Sequence, residues 1–142
     1  WGIMRGMINL IRMHRWRLDE KSREIVEYEE LVDSFVHQGE LLEDELKAEQ
    51  VAAKDNTMAS LTYGEYANSI IQRREKLGSS ISQVEQQIQH AKEDLRLIFQ
   101  ELKRYEILKK NQDEAALEKA NKLEQSTLDE LGIELFRRRD QH

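Results

Sequence analysis

Apolar residues recur every 3.5 residues along two long stretches of this chain, which is the spacing of a coiled coil. The first repeat runs from Ile11 to Leu46 and the second from Ala67 to Tyr105. The apolar core positions are Ile11, Leu18, Ile25, Tyr28, Val32, Phe35, Leu42 and Leu46 in the first stretch, and Ala67, Ile70, Leu77, Ile81, Val84, Ile88, Ala91, Leu95, Ile98, Leu102 and Tyr105 in the second. A lone helix would leave such a stripe in water, so each stretch needs a partner helix.

The repeat fades between the two stretches and restarts at Leu61. Thr62 and Glu65 have the spacing of a capping box, while Leu61 and Tyr66 have the spacing of a hydrophobic staple. These signals predict that the second helix begins at Thr62. The sequence therefore predicts one coiled-coil domain with helix one at about 3–52, a turn at about 53–61 and helix two at about 62–138.

A short connection makes the two helices antiparallel, which places each a position opposite a d position. One register satisfies this along the whole length, with the numbers of facing residues summing to 116; it pairs Ile25 with Ala91 and Val32 with Val84. Three polar residues then face leucines across the seam: His14, Lys21 and Arg74. The predicted fold is all-α, an antiparallel two-helix coiled-coil hairpin with an extended C-terminal helix. A parallel dimer of long helices is the alternative.

Beyond Tyr105 the residues are mostly polar, and the apolar stripe returns one residue out of phase. Its members are Leu117, Leu128, Leu131 and Leu135. They lie in a C-terminal extension, residues 114–142, which the first helix can cover only near its base. An uncovered apolar stripe usually marks an interface, so we expect a protein partner here, with a frayed end as the alternative. Three arginines extend the stripe with charge that either complements the helix C-terminus or meets a partner: Arg137, Arg138 and Arg139.

Composition and charge agree with long solvated helices. The chain has no Pro and 6 Gly among 142 residues, and 35% of its residues are charged. Residues 1–23 carry six Lys/Arg and two Asp/Glu, whereas residues 24–50 carry one Lys and ten Asp/Glu. The simplest interpretation is a set of solvated helix faces; the alternative is that the two ends of the hairpin attract different partners.

Signatures of catalysis, cofactors and nucleic-acid binding are missing from the sequence. There is no Gly-rich phosphate loop and no Cys, and none of the four His residues is preceded by the Glu-x-x spacing of a di-iron bundle. The net charge is −6, and no basic stripe with interleaved aromatics suggests nucleic acid. No stretch approaches the length of an apolar membrane span. We therefore expect a protein-binding coiled coil, not an enzyme, with no cofactor and no metal.

Three segments resemble the flagellar export protein FliJ family, particularly its alphaproteobacterial branch. The first is Leu10–Arg23, which is similar to the family's N-terminus in its Leu-Ile-Arg opening and its Leu-Asp-Glu-Lys-x-Arg segment. The second is the Tyr63-x-x-Tyr66 pair followed by Arg73-Arg74-x-x-Leu77, and the third is Phe99-x-Glu101-Leu102-Lys103. The resemblance covers essentially the whole chain.

The resemblance implies a soluble monomeric hairpin, similar to the central stalk of rotary ATPases, in the cytoplasm at the inner-membrane flagellar base. The partners that it implies are the hexameric export ATPase, the membrane-embedded export gate and the chaperones of late substrates. The Tyr-x-x-aromatic match places Tyr66 on the gate-contacting surface, with Ile70 and Arg73 as neighbours. On the first helix, Glu45 and Glu49 stand where the family has exposed aromatics.

Two functions from different classes follow from these observations. The first is a stalk-like component of the flagellar type III export apparatus that links its ATPase to its gate. The second is a structural coiled-coil spacer or dimerisation module. For Tyr66, the staple with Leu61 is a purely structural alternative to a gate contact.

Overall fold

The structure is a computed structural model that describes residues 2–55 and 57–140 and, among their side chains, all but those of residues 3, 4 and 59. Every described residue is helical: α1 spans Gly2–Asp55 and α2 spans Thr57–Asp140. The two helices pack against each other, which confirms the predicted all-α helical hairpin. The chain divides into two compact units, one formed by Trp1–Arg15 with Phe99–His142 and the other by Trp16–Ile98.

The predicted turn is too wide. α1 continues to Asp55 and α2 already begins at Thr57, before the predicted start at Thr62. Residues 51–55 are Val, Ala, Ala, Lys and Asp, of which Ala and Lys favour a helix, so the loss of the heptad repeat marks the end of pairing and not the end of the helix. Asn56 lies outside the described residues.

Thr62 does not cap a helix. Its hydroxyl group donates a hydrogen bond to the carbonyl oxygen of Met58 at 3.5 Å, which is the backbone contact of a threonine inside a helix. Leu61, the predicted partner of Tyr66 in a hydrophobic staple, is exposed. The capping motif was therefore a coincidence of spacing within a continuous helix.

The unit Trp16–Ile98 contains both helical arms, and its core follows the predicted heptads. The buried apolar side chains are Ile25, Ile70, Val84, Ile88 and Ala91, of which Ile70 is fully buried. The other apolar core positions predicted in this unit are half-buried, and Arg74 in the seam is exposed. Each buried aliphatic side chain of this size contributes roughly 1.5–3 kcal/mol, so the interhelical seam supplies most of the stabilisation.

Ion pairs across this unit establish the antiparallel register. Lys21 Nζ lies 3.4 Å from Asp94 Oδ2, and Arg74 Nη2 lies 3.9 Å from Glu43 Oε1. Each carboxylate is the immediate neighbour of the leucine that the predicted register places opposite the basic residue. The register is therefore confirmed, and the two basic seam residues avoid the apolar layer by reaching a flanking acid.

Local hydrogen bonds hold Lys21 at its seam position. Its ammonium lies 3.0 Å from Glu24 Oε2, and the Tyr28 hydroxyl donates to Glu24 at 3.1 Å. The hydrogen bond with Glu24, reinforced by Asp94, raises the pKa of Lys21, while the bonds from Lys21 and Tyr28 lower the pKa of Glu24. Both groups are therefore charged over the physiological range, and the seam carries an ordered ionic layer.

In the unit formed by Trp1–Arg15 with Phe99–His142, the seam contains a buried histidine. His14 is buried beside Ile11 and Leu102. Its Nδ1 lies 2.8 Å from the Leu10 carbonyl oxygen and its Nε2 lies 2.8 Å from Glu101 Oε2, so both ring nitrogens have acceptors. The tilted Tyr105 ring covers the imidazole, with the two ring centroids 5.1 Å apart. Glu101 is the neighbour of Leu102, the predicted partner of His14, so the same register holds here.

We expect a disulfide to form within one chain when Val32 and Val84 are both replaced by Cys. The register places these two residues in the same layer of the seam, within the distance that a disulfide spans. Oxidised protein should migrate as a cross-linked monomer on non-reducing gels. A control pair, Val32→Cys with Ile88→Cys, is one turn out of register and should stay reduced. Cross-linked dimers in place of monomers would contradict the hairpin.

We expect Glu101→Ala to lower the free energy of unfolding by about 1 kcal/mol, because the buried Nε2 of His14 loses its only side-chain acceptor. Glu101→Gln should recover most of this loss, since the amide oxygen can accept the same hydrogen bond. Urea denaturation of the two variants, followed by circular dichroism, measures the difference. Equal midpoints for wild type and the Ala variant would show that the hydrogen bond is energetically neutral.

Candidate protein-binding surfaces

Tyr66 lies on a polar patch that joins the two helices of the unit Trp16–Ile98. Its hydroxyl donates to Glu45 Oε2 at 3.4 Å. Partial burial, followed by the negative charges of Glu45 and Glu49, raises the pKa of Tyr66, so the hydroxyl is a neutral donor over the physiological range. The positive charge of Arg73 acts on the same hydroxyl in the opposite direction, which places Arg73 near this patch.

Of the three residues predicted for this surface, Ile70 is in the core. Its side chain is 0% exposed, the most completely buried large residue of the described chain. It sits at a core position of the heptad, where it packs in the seam and has no surface to offer a partner. The structure therefore brings Tyr66 and Arg73 to the surface and corrects the expectation for Ile70, whose role is to hold the two helices together.

The sequence reasoning treated Glu45 as a departure from the family pattern and overlooked Leu41 and Lys76. In the structure Glu45 accepts the hydrogen bond from Tyr66, and it lines a groove of about 420 Å³ together with Leu41, Arg73 and Lys76. The heptad repeat contains the signal that could have found this contact, because Glu45, Tyr66 and Arg73 all occupy g positions. Antiparallel coiled coils bring the g positions of the two helices to the same flank of the seam.

The second predicted surface is the C-terminal part of α2. Every described residue from 113 to 140 is exposed, and the helix continues without interruption to Asp140. The predicted stripe residues all expose more than half of their side-chain surface: Leu117, Leu128, Leu131 and Leu135. At 100° per residue these four lie within a sector of about 60° of the helix, but Asn121 and Glu124 interrupt the line between Leu117 and Leu128. The unbroken part of the apolar strip is therefore Leu128, Leu131 and Leu135, with Leu117 in line with it.

Further exposed apolar residues of this segment escaped the sequence reasoning. Leu123, Ile133 and Phe136 all project from other sides of the helix, each roughly 80° or more away from the strip. A search for one stripe could not find Ile133 and Phe136, because they do not share its phase. They provide matched exposed apolar residues outside the strip.

The basic residues at the end of α2 occupy its last turn. Arg138 Nη2 lies 3.6 Å from Glu134 Oε1, an exposed pair one helical turn apart. Positive charge in the last turn complements the partial negative charge of the helix C-terminus, which accounts for Arg137, Arg138 and Arg139 without a partner. A contact between these arginines and another protein stays a prediction.

Neither a metal site nor a membrane-spanning helix is found in the part of the chain that the structure describes. No group of three or more His, Cys, Asp or Glu side chains is placed to hold a metal ion there. No described helix combines the length and apolar character needed to cross a lipid bilayer.

Comparison with known proteins places the chain in a family. A family model described as "Flagellar FliJ protein" matches residues 4–141, nearly the whole chain. No curated protein and no solved structure matches the chain. The family match therefore carries the functional argument on its own.

We expect Ile70→Ala to destabilise the protein by about 3 kcal/mol, because it removes a fully buried side chain from the seam. Tyr66→Phe should change stability by less than about 0.5 kcal/mol, since it removes only one long, partly exposed hydrogen bond. Thermal unfolding of both variants measures the contrast. If the two substitutions lowered the melting temperature equally, Tyr66 would be a structural residue and not a free surface residue.

Proposed function

The chain belongs to the flagellar FliJ protein family, and from this we propose that it links the export ATPase ring of the flagellum to the membrane-embedded export gate and to the chaperones of late substrates. The family is a structural component of the flagellar export apparatus and is not known as an enzyme. We also propose which surface of the protein contacts which of these partners. It places the protein in the cytoplasm, at the flagellar base, as a monomer.

The exposed apolar strip of α2 carries the proposal. A long helix whose residues 113–140 are all exposed gains little stability from packing, yet it keeps four leucines on one side. Leucines on an otherwise charged helix favour insertion into an apolar surface of another protein. We assign Leu117, Leu128, Leu131 and Leu135, with Arg137, Arg138 and Arg139, to the ATPase contact.

The patch around Tyr66 supports the second contact. Tyr66 and Arg73 are both on the surface beside Glu45, and a tyrosine with an adjacent arginine is typical of energetically important contact residues. We assign this patch to the export gate. We also propose that the substrate chaperones bind this chain, and we assign no particular residues to that contact.

The same strip also favours the second candidate function, a spacer or dimerisation module. A second copy of α2 could cover the leucines, since two such strips are complementary to each other. Light scattering on the purified full chain separates the two functions. A monomer at micromolar concentration supports the export role, and a stable dimer whose formation depends on Leu128 and Leu131 favours the module.

We expect deletion of residues 114–142 to leave the paired part of the molecule folded, because the seam residues end before it, and to abolish binding to the purified export ATPase. A milder pair of variants avoids truncation. Leu128→Gln with Leu131→Gln should weaken ATPase binding by about tenfold or more, as expected for contact residues in an apolar interface. Ile133→Gln with Phe136→Gln, equally exposed but off the strip, should weaken it much less.

Binding is measured by biolayer interferometry, and swimming motility in a strain that carries each variant provides the second readout. Undiminished ATPase binding by the truncated protein would show that docking lies elsewhere on the hairpin. Equal losses in the on-strip and off-strip pairs would show that overall hydrophobicity, and not the strip, drives the contact.

A further inference from the structure

The interhelical seam of the unit Trp16–Ile98 has one layer to which α1 contributes no side chain. The register places Gly39 at a core position of the heptad, opposite Leu77, and both residues are half-buried. A Cβ atom added to Gly39 would meet no atom of the opposite helix within 4 Å, so the space in front of the glycine is empty. The layer therefore lacks the contacts that a side chain at a core position makes with the facing helix.

The next layer toward the helix connection is also weak. It contains Leu42 on α1 and Arg74 on α2, and the Arg74 guanidinium lies 3.9 Å from a carboxylate oxygen of Glu43. An ion pair this long between half-exposed side chains contributes little to the pairing of the helices. Buried apolar residues lie on both sides of these two layers, Ile70 toward the connection and Val84 in the opposite direction. The weak part of the seam is thus short and lies between well-packed parts.

Both helices carry a glycine at this level. Position 78 faces position 38 in the register, so Gly78 and Gly39 lie about one residue apart along the hairpin, roughly 1.5 Å. Residues 7–55 contain no other glycine, and neither do residues 65–131. In α2 the glycine is followed by Ser79 and Ser80, and Gly-Ser sequences are common sites of helix bending.

Packing does not explain why these two positions hold glycine. A Cβ atom added to Gly78 would also meet open space, so no close approach of the backbone excludes a side chain at either position. Glycine is less favourable than alanine inside a helix because its backbone is less restricted. What the two glycines supply is therefore backbone freedom, at the same level in both helices.

We propose that Gly39 and Gly78 form a hinge, at which the hairpin bends while the seam on both sides stays paired. A pair of helices bends at one level only if both helices yield there, because a stiff helix would act as a splint for its partner. It also needs few contacts between the helices at that level, since a close-packed layer resists compression. The two glycines meet the first condition and the empty layer meets the second. The hinge does not depend on which protein binds either end of the hairpin.

Distances between spin labels on the full chain measure the bend. The chain has no Cys, so labels attach only where Cys is introduced. The pair Ser34→Cys with Ala48→Cys spans the hinge, whereas Glu20→Cys with Ser34→Cys covers the same length of α1 without crossing it. The three sites are exposed and share one heptad position, so both pairs view the helix from the same side. Double electron–electron resonance should give a distance distribution at least about twofold broader for the first pair, since a bend of roughly 20° or more changes the separation of labels that stand away from the helix axis.

Substitutions at the glycines should stiffen the hinge. Gly39→Leu with Gly78→Ala should narrow the hinge-spanning distribution to the width of the control pair. Gly39→Leu alone should raise the melting temperature by about 3 °C or more, because an apolar side chain then fills the empty place opposite Leu77. Gly39→Ala adds only one carbon atom and should also narrow the distribution, which covers the case in which leucine is too large for the layer. Gly64→Ala is the matched control, since Gly64 is an exposed helical glycine of the same unit that lies outside the heptad core.

Three results would overturn the hinge. The first is an equal width for the two label pairs in the otherwise unchanged chain, which would show that the helix is straight and stiff across Gly39. The second is a narrowing by Gly64→Ala as large as that by the double substitution, which would show that helix propensity in general limits the width. The third is a lower melting temperature for Gly39→Ala, which would show that the seam layer has no free space.

Discussion

The mutual burial of two heptad stripes is the constraint on which this protein depends. No backbone hydrogen bonds join α1 to α2 in a helical pair, so only side-chain packing in the seam fixes their direction and register. The fully buried Ile70 and its neighbours in the core supply that packing. Because the seam uses only two positions in seven, most of each helix surface is left for solvent and for partners. These exposed surfaces are available for binding other proteins.

The polar seam positions show how the register is fixed. His14, Lys21 and Arg74 would each be costly against a leucine, and each instead meets a carboxylate next to that leucine. A slip of one heptad in one direction would place His14 opposite Lys109, and a slip in the other direction would leave Lys21 and Arg74 without a neighbouring acid. Apolar heptads alone tolerate such slips, since one leucine layer resembles the next, so the polar layers give the pairing its specificity at some cost in stability.

The sequence was sufficient for the parts of the structure that a periodic pattern determines. The heptad phase, the antiparallel direction and the register were predictable, because each depends on where apolar residues recur. The helix ends were not, since residues 51–55 lack the repeat but include the helix formers Ala52, Ala53 and Lys54, and the Thr62–Glu65 spacing imitates a cap. The expectation for Ile70 failed for a related reason. The resemblance assigned Ile70 to a contact surface by its position in the matched segment, whereas the heptad phase places its side chain in the core.

The flanks of the seam are the positions where surface side chains are held in place by the opposite helix. A g position is close enough to the opposite helix to be held in place and far enough from the core to remain on the surface. Tyr66 and Arg73 occupy such positions, and Glu45 from the other helix fixes the tyrosine by a hydrogen bond. A protein that binds this flank therefore contacts both helices at once, and it can do so only where the register is correct. The packing that folds the chain thus also assembles its surface, because neither helix alone carries both walls of the groove.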